Sequence, residues 1–194
     1  MPARQPTPRP YHHGNLAAEL LEAARTILEQ EGVASLKLRS ITRAAGVSAT
    51  AADPHFGNLT GLLSELAAIG YDELALAMGT EAAPTPRQVG KGYIRFALSH
   101  PGMFALMFRS DLLDMSRPRL AAAAAAAFDM LRLASDRPGS DSATLPQAGR
   151  RAANWALVHG LTILAIEGRL DFIRAPLDPP CSLAELIEAA LEAS

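Results

Sequence analysis

Residues 35–52, SLKLRSITRAAGVSATAA, join two short helical segments through a glycine. Apolar side chains recur at helical spacing in the first segment and predict its inner face: Leu38, Ile41, Ala44 and Ala45. Gly46 supplies a sharp turn, Val47 a buried pivot and Ser48 the N-cap of the second helix. This spacing is typical of a helix-turn-helix, whose second helix enters the major groove of DNA. Two amphipathic helices joined in this way can equally form a plain helical corner.

The second helix meets Asp53-Pro54 soon after it begins. Proline lacks the N–H that would bond to the carbonyl of Thr50, and it disfavours helical geometry at Asp53. We therefore expect the helix to stop near Ala52. Alternatively, Asp53 and Pro54 are the N-cap and first residue of a new helical turn that carries His55. In either case, the residues left to face the major groove are Ala49, Thr50 and Ala51.

The rest of the chain predicts about nine helices and no sheet, and therefore an all-α protein. The first helix runs from an Asn15 cap to Gly32. A long helix is expected from Asn58 towards Met78, with one side formed by Leu62, Leu63, Leu66 and Ile69. Further helices are predicted at 86–99, 103–110, 117–135 and 147–168, and from a capping box at Ser182.

The stretch GTEAAPTP at 79–86 is rich in helix-breaking residues, which predicts a boundary or hinge between two domains. We expect a flexible arm at 1–14, a helix-turn-helix domain at 15–58, a connecting helix at 59–80 and a C-terminal domain at 86–194. The arm, with His12 and His13, can reach phosphates or a minor groove, or it is a proline-rich tail without a role in binding.

Composition is that of a globular protein, with 49% hydrophobic and 20% charged residues. Cys181 is the only cysteine, so no intrachain disulfide is possible. The first 15 residues contain Pro and Arg where a signal peptide needs an apolar stretch, and no later segment reaches the roughly 18 apolar residues of a membrane span. We therefore expect a cytoplasmic protein without a membrane partner, and the net charge of −2 identifies no other partner.

The segment at 11–48, followed by His55-Phe56 and by Leu62-Leu63, resembles the DNA-binding domain of the TetR family of bacterial transcriptional regulators. The resemblance covers residues 11 to about 70. It implies a homodimer that places two recognition helices in successive major grooves of a palindromic DNA operator. It also implies a C-terminal helical domain that binds a small ligand, which controls release from DNA.

The resemblance identifies three departures within this domain. The family usually has a phosphate-contacting tyrosine at Asp53, a phosphate-contacting lysine at Leu59, and a Ser or Thr that caps helix two at Lys37. An acid near phosphates repels them, at a cost on the order of 1 kcal/mol per half-site, which Lys37 can offset in part. The candidate DNA-contacting residues are His12, His13, Lys37, Arg39, Ser48, Ala49, Thr50, Ala51 and His55.

Large apolar side chains gather between residues 86 and 170, where they form either plain core or the walls of a ligand pocket. The pocket candidates are Tyr93, Phe96, Phe104, Met107, Phe108, Phe128, Trp155 and His159. Trp155 and His159 are four residues apart and so share one helix face. His159 either contacts a ligand or is a core histidine bonded to a backbone carbonyl. A pocket with few polar groups suits a hydrophobic small molecule.

Residues 155–160, WALVHG, resemble the signature of a C-terminal domain type that takes its name from its Trp, His and Gly, and HPGMFALMF at 100–108 looks similar to the same group. This resemblance implies a regulatory and dimerising domain. Dimerisation through the last two long helices would use Ala153, Ala156, Leu157, Leu164, Leu186, Ala190 and Leu191.

Enzymatic chemistry finds little support in the sequence. Gly90-Lys91-Gly92 follows no strand and precedes no Ser or Thr, unlike a phosphate-binding loop, and the histidines lack metal-ligand spacing. We therefore predict no enzyme, metal site or cofactor. The leading interpretation is a dimeric repressor that a hydrophobic small molecule releases from its operator. The alternative is a protein of this fold whose DNA binding is weakened or lost, and which binds a small molecule or a protein.

Overall fold

A computed structural model describes residues 16–79, 84–135 and 144–193, and these form ten α-helices and no strand. The helices are α1 Leu16–Glu31, α2 Leu38–Ala44, α3 Asp53–Phe56, α4 Leu59–Met78, α5 Pro86–Ser99, α6 Pro101–Met107, α7 Pro118–Ser135, α8 Leu145–Ile166, α9 Asp171–Arg174 and α10 Leu183–Glu192. Two short 3-10 turns cover Val33–Ser35 and Ala49–Ala52. The all-α prediction is confirmed. Asn15 and the boundary at 80–83 lie outside the described residues.

Side-chain caps explain where the long helices begin. The Asn58 carboxamide oxygen accepts the Gly61 N–H at 2.8 Å, and capping boxes open α5 at Thr85 and α10 at Ser182. A further capping box at Thr144 starts α8 two residues before the predicted position. Helix α6 also begins two residues early, because Pro101 is accommodated in its first turn.

The N-terminal core packs the inner faces of α1, α2 and α4. Its fully buried side chains include Leu20, Ala24, Leu28, Ile41, Leu62, Leu63 and Leu66. The prediction that Ala44 faces inward is wrong, since Ala44 is exposed. Thr42 is buried in its place, because its hydroxyl donates to the carbonyl of Leu38 at 3.0 Å and so needs no outside partner.

Helix α4 lies at the centre of the molecule and packs against α1, α3, α5, α6 and α7. Two glycines let neighbouring helices approach closely. A Cβ on Gly70 would lie 2.8 Å from the side chains of Met103 and Met107 on α6, and a Cβ on Gly92 of α5 would lie 2.0 Å from the carbonyl oxygen of Ala77. Helices α4, α5 and α6 therefore pack closely on one another, while α7 packs on α4 and α5, and α8 packs on α5 and α7.

Because the obstacle at Gly92 is backbone rather than a flexible side chain, Gly92→Ala is expected to destabilise the protein by about 1–3 kcal/mol or more. Gly149→Ala is the matched control, since no heavy atom lies within 4 Å of a Cβ there. It should stabilise α8 by about 0.5–1 kcal/mol. Urea unfolding at equal protein concentration measures both changes, and a Gly92→Ala variant as stable as the parent would contradict the packing of α4 on α5.

Candidate nucleic-acid interface and ligand pocket

The turn between α2 and the next helical segment is fixed by backbone bonds. Gly46 has a φ of 72°, and the Val47 N–H donates to the carbonyl of Thr42 at 2.9 Å. Ser48 occupies the N-cap position with an extended backbone, but its hydroxyl bonds to the Thr50 hydroxyl at 3.2 Å instead of to a backbone N–H. The predicted helix-turn-helix geometry is present, without the predicted side-chain cap.

The first helical element after the turn ends at Ala52, as predicted, but a second element follows it without a break. A 3-10 turn at Ala49–Ala52 leads directly into α3. Pro54 has no N–H to donate to the Thr50 carbonyl, and the Asp53 N–H donates to this carbonyl instead. Asp53 is helical at φ −58° and ψ −45°, so the expected disruption before proline is wrong. The alternative of a new helical turn that carries His55 is closer, although the N-cap is Ala52 and not Asp53.

Most of the described DNA-contact candidates are exposed at the protein surface. Exposed side chains belong to Lys37, Arg39, Ser48, Ala49, Thr50 and His55, whereas Ala51 is half-buried. Arg43, in the last turn of α2, is a further exposed cation that the sequence analysis did not single out. His12 and His13 lie outside the described residues.

The electrostatics of this surface favour a polyanion. Lys37, Arg39 and Arg43 form no ion pair with another described residue, and Asp53 is the only acid between residues 36 and 58. The three cations therefore outnumber the acid and stay available to phosphate oxygens. Leu59, where the family usually has lysine, is half-buried and packs on the core.

An aromatic cluster fills the centre of the C-terminal domain, around Tyr93 of α5. The Tyr93 ring packs edge-on against Phe104 at 5.6 Å between centroids, and its hydroxyl lies 2.9 Å from Nδ1 of His159. The ring of His159 is also 4.7 Å from that of Phe108. Nδ1 of His159 is thus hydrogen-bonded to the phenol of Tyr93. The alternative in which His159 is a core histidine bonded to a backbone carbonyl is not what the structure shows.

Burial sets the protonation of both groups. Burial raises the pKa of Tyr93 far above its ordinary value, against the opposing effect of a hydrogen bond with Trp155, and burial lowers the pKa of His159. Because the indole N–H only donates, Tyr93 accepts from Trp155 and donates to Nδ1 of a neutral His159. Burial also raises the pKa of Tyr71, so every titratable group of the cluster is uncharged near neutral pH.

A small apolar cavity lies beside this cluster. Its lining residues are Tyr71, Leu74, Met78, Tyr93, Phe108, Ala127, Phe128, Leu131 and Trp155, and its volume is about 10 Å³. This is room for about one water molecule, so side chains fill the pocket in this conformation. Tyr71 was not predicted as a lining residue, because it belongs to α4, and the pocket candidates were drawn only from residues 86–170.

The other pocket candidates lie beside or away from this cavity. Phe104 and Met107 are buried behind it, and the carbonyl of Met107 accepts the Tyr71 hydroxyl at 2.9 Å. Phe96 points to a different cleft, where its ring packs 5.3 Å from that of His100. The structure therefore gathers Tyr93, Phe108, Phe128 and Trp155 at one cavity and leaves Phe96 elsewhere.

Three polar side-chain contacts tie α1 and α3 to later elements of the chain. The Glu29 carboxylate of α1 accepts the N–H groups of Gly102 at 3.0 Å and Met103 at 3.1 Å, at the start of α6. The Arg117 guanidinium, just before α7, donates to the carbonyl of Phe56 at 3.0 Å, where α3 ends. The third contact is a two-bond ion pair between Arg25 on α1 and Glu73 on α4, at 2.5 and 2.7 Å. None of these contacts was predicted.

The dimer candidates divide by exposure. Ala153, Ala156 and Leu164 are exposed on α8, while Leu157, Leu186 and Ala190 are half-buried. Leu191 is buried in its own subunit, where its side chain would lie 3.1 Å from a Cβ on Gly90. Leu191 therefore does not lie on a free surface of the monomer.

Two searches of the described ranges concern other kinds of site. No group of three or more His, Cys, Asp or Glu side chains there could hold a metal ion. No helix in the same ranges is long and apolar enough to cross a membrane.

Comparisons with known proteins agree with this architecture. The family model of the tetracyclin repressor-like C-terminal domain matches residues 87–190. A protein of unknown function from Rhodococcus sp. RHA1 is 29% identical, with 96% of each chain covered and a TM-score of 0.74. A TetR transcriptional regulator from the same organism shares the fold, with 19% identity, 92% of this chain and 94% of that chain covered, and a TM-score of 0.58.

No curated protein sequence matches the chain. The family model nevertheless covers more than half of it, and the alignments with the two structural relatives extend over 96% and 92% of the chain. Proteins of this family are DNA-binding regulators and not enzymes. The chain belongs to the TetR family of transcriptional regulators.

Proposed function

We propose that the protein is a homodimeric repressor that binds a palindromic DNA operator in the cytoplasm and leaves it when a hydrophobic small molecule enters the C-terminal domain. The observation that carries this proposal is the position of α6. In its first turn this helix is hydrogen-bonded to Glu29 of α1, and Phe104 and the adjoining Phe108 face the aromatic cluster. We assign residues 16–58 to the DNA-binding domain, here called the reading head, α4 to the connection, and the chain from Pro86 onwards to the regulatory domain.

The coupling follows from how short this connection is. A ligand that separates α6 from Tyr71 or Tyr93 must move a seven-residue helix whose other end is held by α1. Such a movement changes the spacing of the two reading heads in a dimer, and only one spacing matches successive major grooves. Differential ligand binding to the two spacings then shifts affinity for DNA, typically by 1–3 kcal/mol.

The chemistry of the pocket favours an uncharged ligand. Its lining residues carry no formal charge, and the Tyr71 hydroxyl donates to a backbone carbonyl, which leaves its oxygen to accept a bond. An apolar molecule with one hydroxyl donor fits these properties. A charged ligand would lose hydration without gaining a partner.

Entry requires two rings to move. Phe128 and Trp155 pack edge-on at 5.0 Å, and both line the inner cavity and also an outer groove of about 370 Å³ between α7 and α8. Displacement of this ring pair would join the cavity to the groove, and the combined space matches the volume of a ligand pocket. We infer that the ring pair is the gate of the pocket.

Dimerisation rests on the apolar surface of α8. Ile163, Leu164 and Ile166 are each more than a third exposed, and Ala153 and Ala156 continue this surface towards the N-terminus of the helix. An exposed apolar surface of this kind is typical of an interface. A second copy would cover it with two-fold symmetry.

Asp53 supplies a direct test of DNA binding. After selection of bound sequences from random genomic fragments, Asp53→Asn is expected to bind the selected site about fivefold more tightly per half-site, because a repulsive charge near phosphates is removed. Asp129→Asn, on α7, is the control and should leave affinity unchanged. Arg39→Gln should make the slope of the logarithm of the binding constant against the logarithm of salt concentration less steep, by the amount expected for about one phosphate contact. No enrichment of any sequence at low salt, from folded protein, would favour the alternative of a member that has lost DNA binding.

Trp155 is the only tryptophan, so its fluorescence reports the gate directly. Addition of 1-octanol should shift Trp155 emission and increase quenching by acrylamide as the ring leaves the cavity wall. Ala127→Leu fills the cavity from α7 and should abolish this response, whereas Ala126→Leu, on the adjacent exposed position, should retain it. An unchanged response in Ala127→Leu would place the ligand elsewhere.

Protonation of His159 should weaken the domain. Its folded-state pKa lies below the ordinary value of 6.5, so its contribution to stability is present above pH 6.5 and is lost as the pH falls. A protonated imidazole cannot accept the Tyr93 hydroxyl. Urea unfolding between pH 7 and 5 should show a loss of stability that is smaller in His159→Gln. His55→Gln, at an exposed position, should keep the full loss, and equal pH dependence in all three proteins would contradict this role.

A further inference from the structure

A second cleft, here called the junction cleft, lies where α1, α4 and α5 meet, and the proposed function does not use it. It has a volume of about 350 Å³ and is lined by Arg25, Glu73, Ala77, Arg95, Phe96, Ser99 and His100. These residues belong to α1, α4, α5 and the single residue before α6. The volume is within the range of small-molecule sites, unlike the filled apolar cavity.

The charges of this junction cleft do not cancel. Glu73 is matched by Arg25 through two hydrogen bonds, so this pair contributes no net charge. Arg95 forms no ion pair among the described residues, and its single bond is to the carbonyl of Ala77 at 3.3 Å. Arg95 is thus the one charged side chain lining the cleft that forms no ion pair with another described residue.

The donors of the cleft suit a carboxylate. Arg95 and Ser99 are four residues apart on α5 and therefore share a helix face, and the exposed Ser99 hydroxyl has no hydrogen-bond partner among the described residues. A guanidinium presents two parallel N–H groups that match the two oxygens of a carboxylate. The rings of Phe96 and His100, tilted at 51° to each other, line the wall beside these donors.

We propose that the junction cleft binds a small aromatic monocarboxylate, held at its carboxylate by Arg95 and Ser99 and at its ring by Phe96 and His100. A single negative charge balances the net charge of the cleft, whereas a phosphate dianion would leave an excess negative charge beside Glu73. The bound molecule would touch α1, α4 and α5 together, one helical turn from the Glu29 contact with α6. The cleft is thus a second site for a small molecule, independent of the apolar pocket.

The test uses the full chain without DNA and measures binding of benzoate by ligand-observed NMR and calorimetry at millimolar concentrations. We expect benzoate to bind and the uncharged, similarly shaped benzamide and inorganic phosphate to bind at least about tenfold more weakly. Arg95→Gln should weaken benzoate binding by about tenfold or more. Lys91→Gln removes the same charge one turn away on α5, where Lys91 is paired with Glu188, and should leave binding unchanged.

Three results would overturn the proposal. These are an Arg95→Gln variant that binds benzoate like the parent, benzamide or phosphate that binds as well as benzoate, and no benzoate binding at all. Ala127→Leu separates the two sites, because it fills the apolar cavity and should not affect benzoate in the junction cleft. Loss of benzoate binding in Ala127→Leu together with retention in Arg95→Gln would place benzoate in the apolar pocket. If only the fluorescence response to 1-octanol fails, the proposed function is contradicted and the proposal for the junction cleft still stands.

Discussion

The close approach of α6 to both α1 and α4 is the constraint on which the arrangement of the two domains depends. Gly102 brings the start of α6 so near to α1 that a Cβ there would lie 2.6 Å from the carbonyl oxygen of Leu28, and Gly70 allows the same approach on α4. The Glu29 carboxylate then accepts the two N–H groups that the start of a helix leaves without partners. Seven residues thus connect the reading head to the aromatic cluster, with no flexible segment between them.

Local chemistry in the sequence predicted the elements well and their contacts poorly. Caps at Asn58, Thr85 and Ser182 mark helix starts correctly, because a cap acts within three residues of itself. The contacts of Arg117 with Phe56, and of Arg25 with Glu73, join residues that are 61 and 48 positions apart. No periodicity reports such pairs, so the connections between the domains and the cleft beside them could not be predicted.

The recognition segment shows how a local rule can be right in its premise and wrong in its result. Pro54 does lack the donor for the Thr50 carbonyl, but the chain tightens into a 3-10 turn and the Asp53 N–H takes that bond instead. Propensity rules consider only an α-helix for the residues before the proline, but a short segment can also adopt a 3-10 turn. The result is a recognition segment whose first turn, with Ala49 and Thr50 exposed, stays available to the major groove. In the proposed DNA complex, phosphate contacts would depend on α2, where Arg39 and Arg43 are exposed.

A pocket that side chains fill is consistent with control by a ligand. A ligand must open such a pocket, and the free energy needed to open it is part of the coupling free energy between ligand binding and DNA binding. Separation of the Phe128 and Trp155 rings forfeits an aromatic contact of about 0.5–1.5 kcal/mol, and movement of α6 strains its bonds with Glu29. A ligand recovers the first loss through its own contacts with the same rings. It does not recover the second, which lies at the other end of α6. In the proposed mechanism, the strain that remains at Glu29 would be borne by the reading head, and it would be the part of the ligand's binding free energy that acts on DNA affinity.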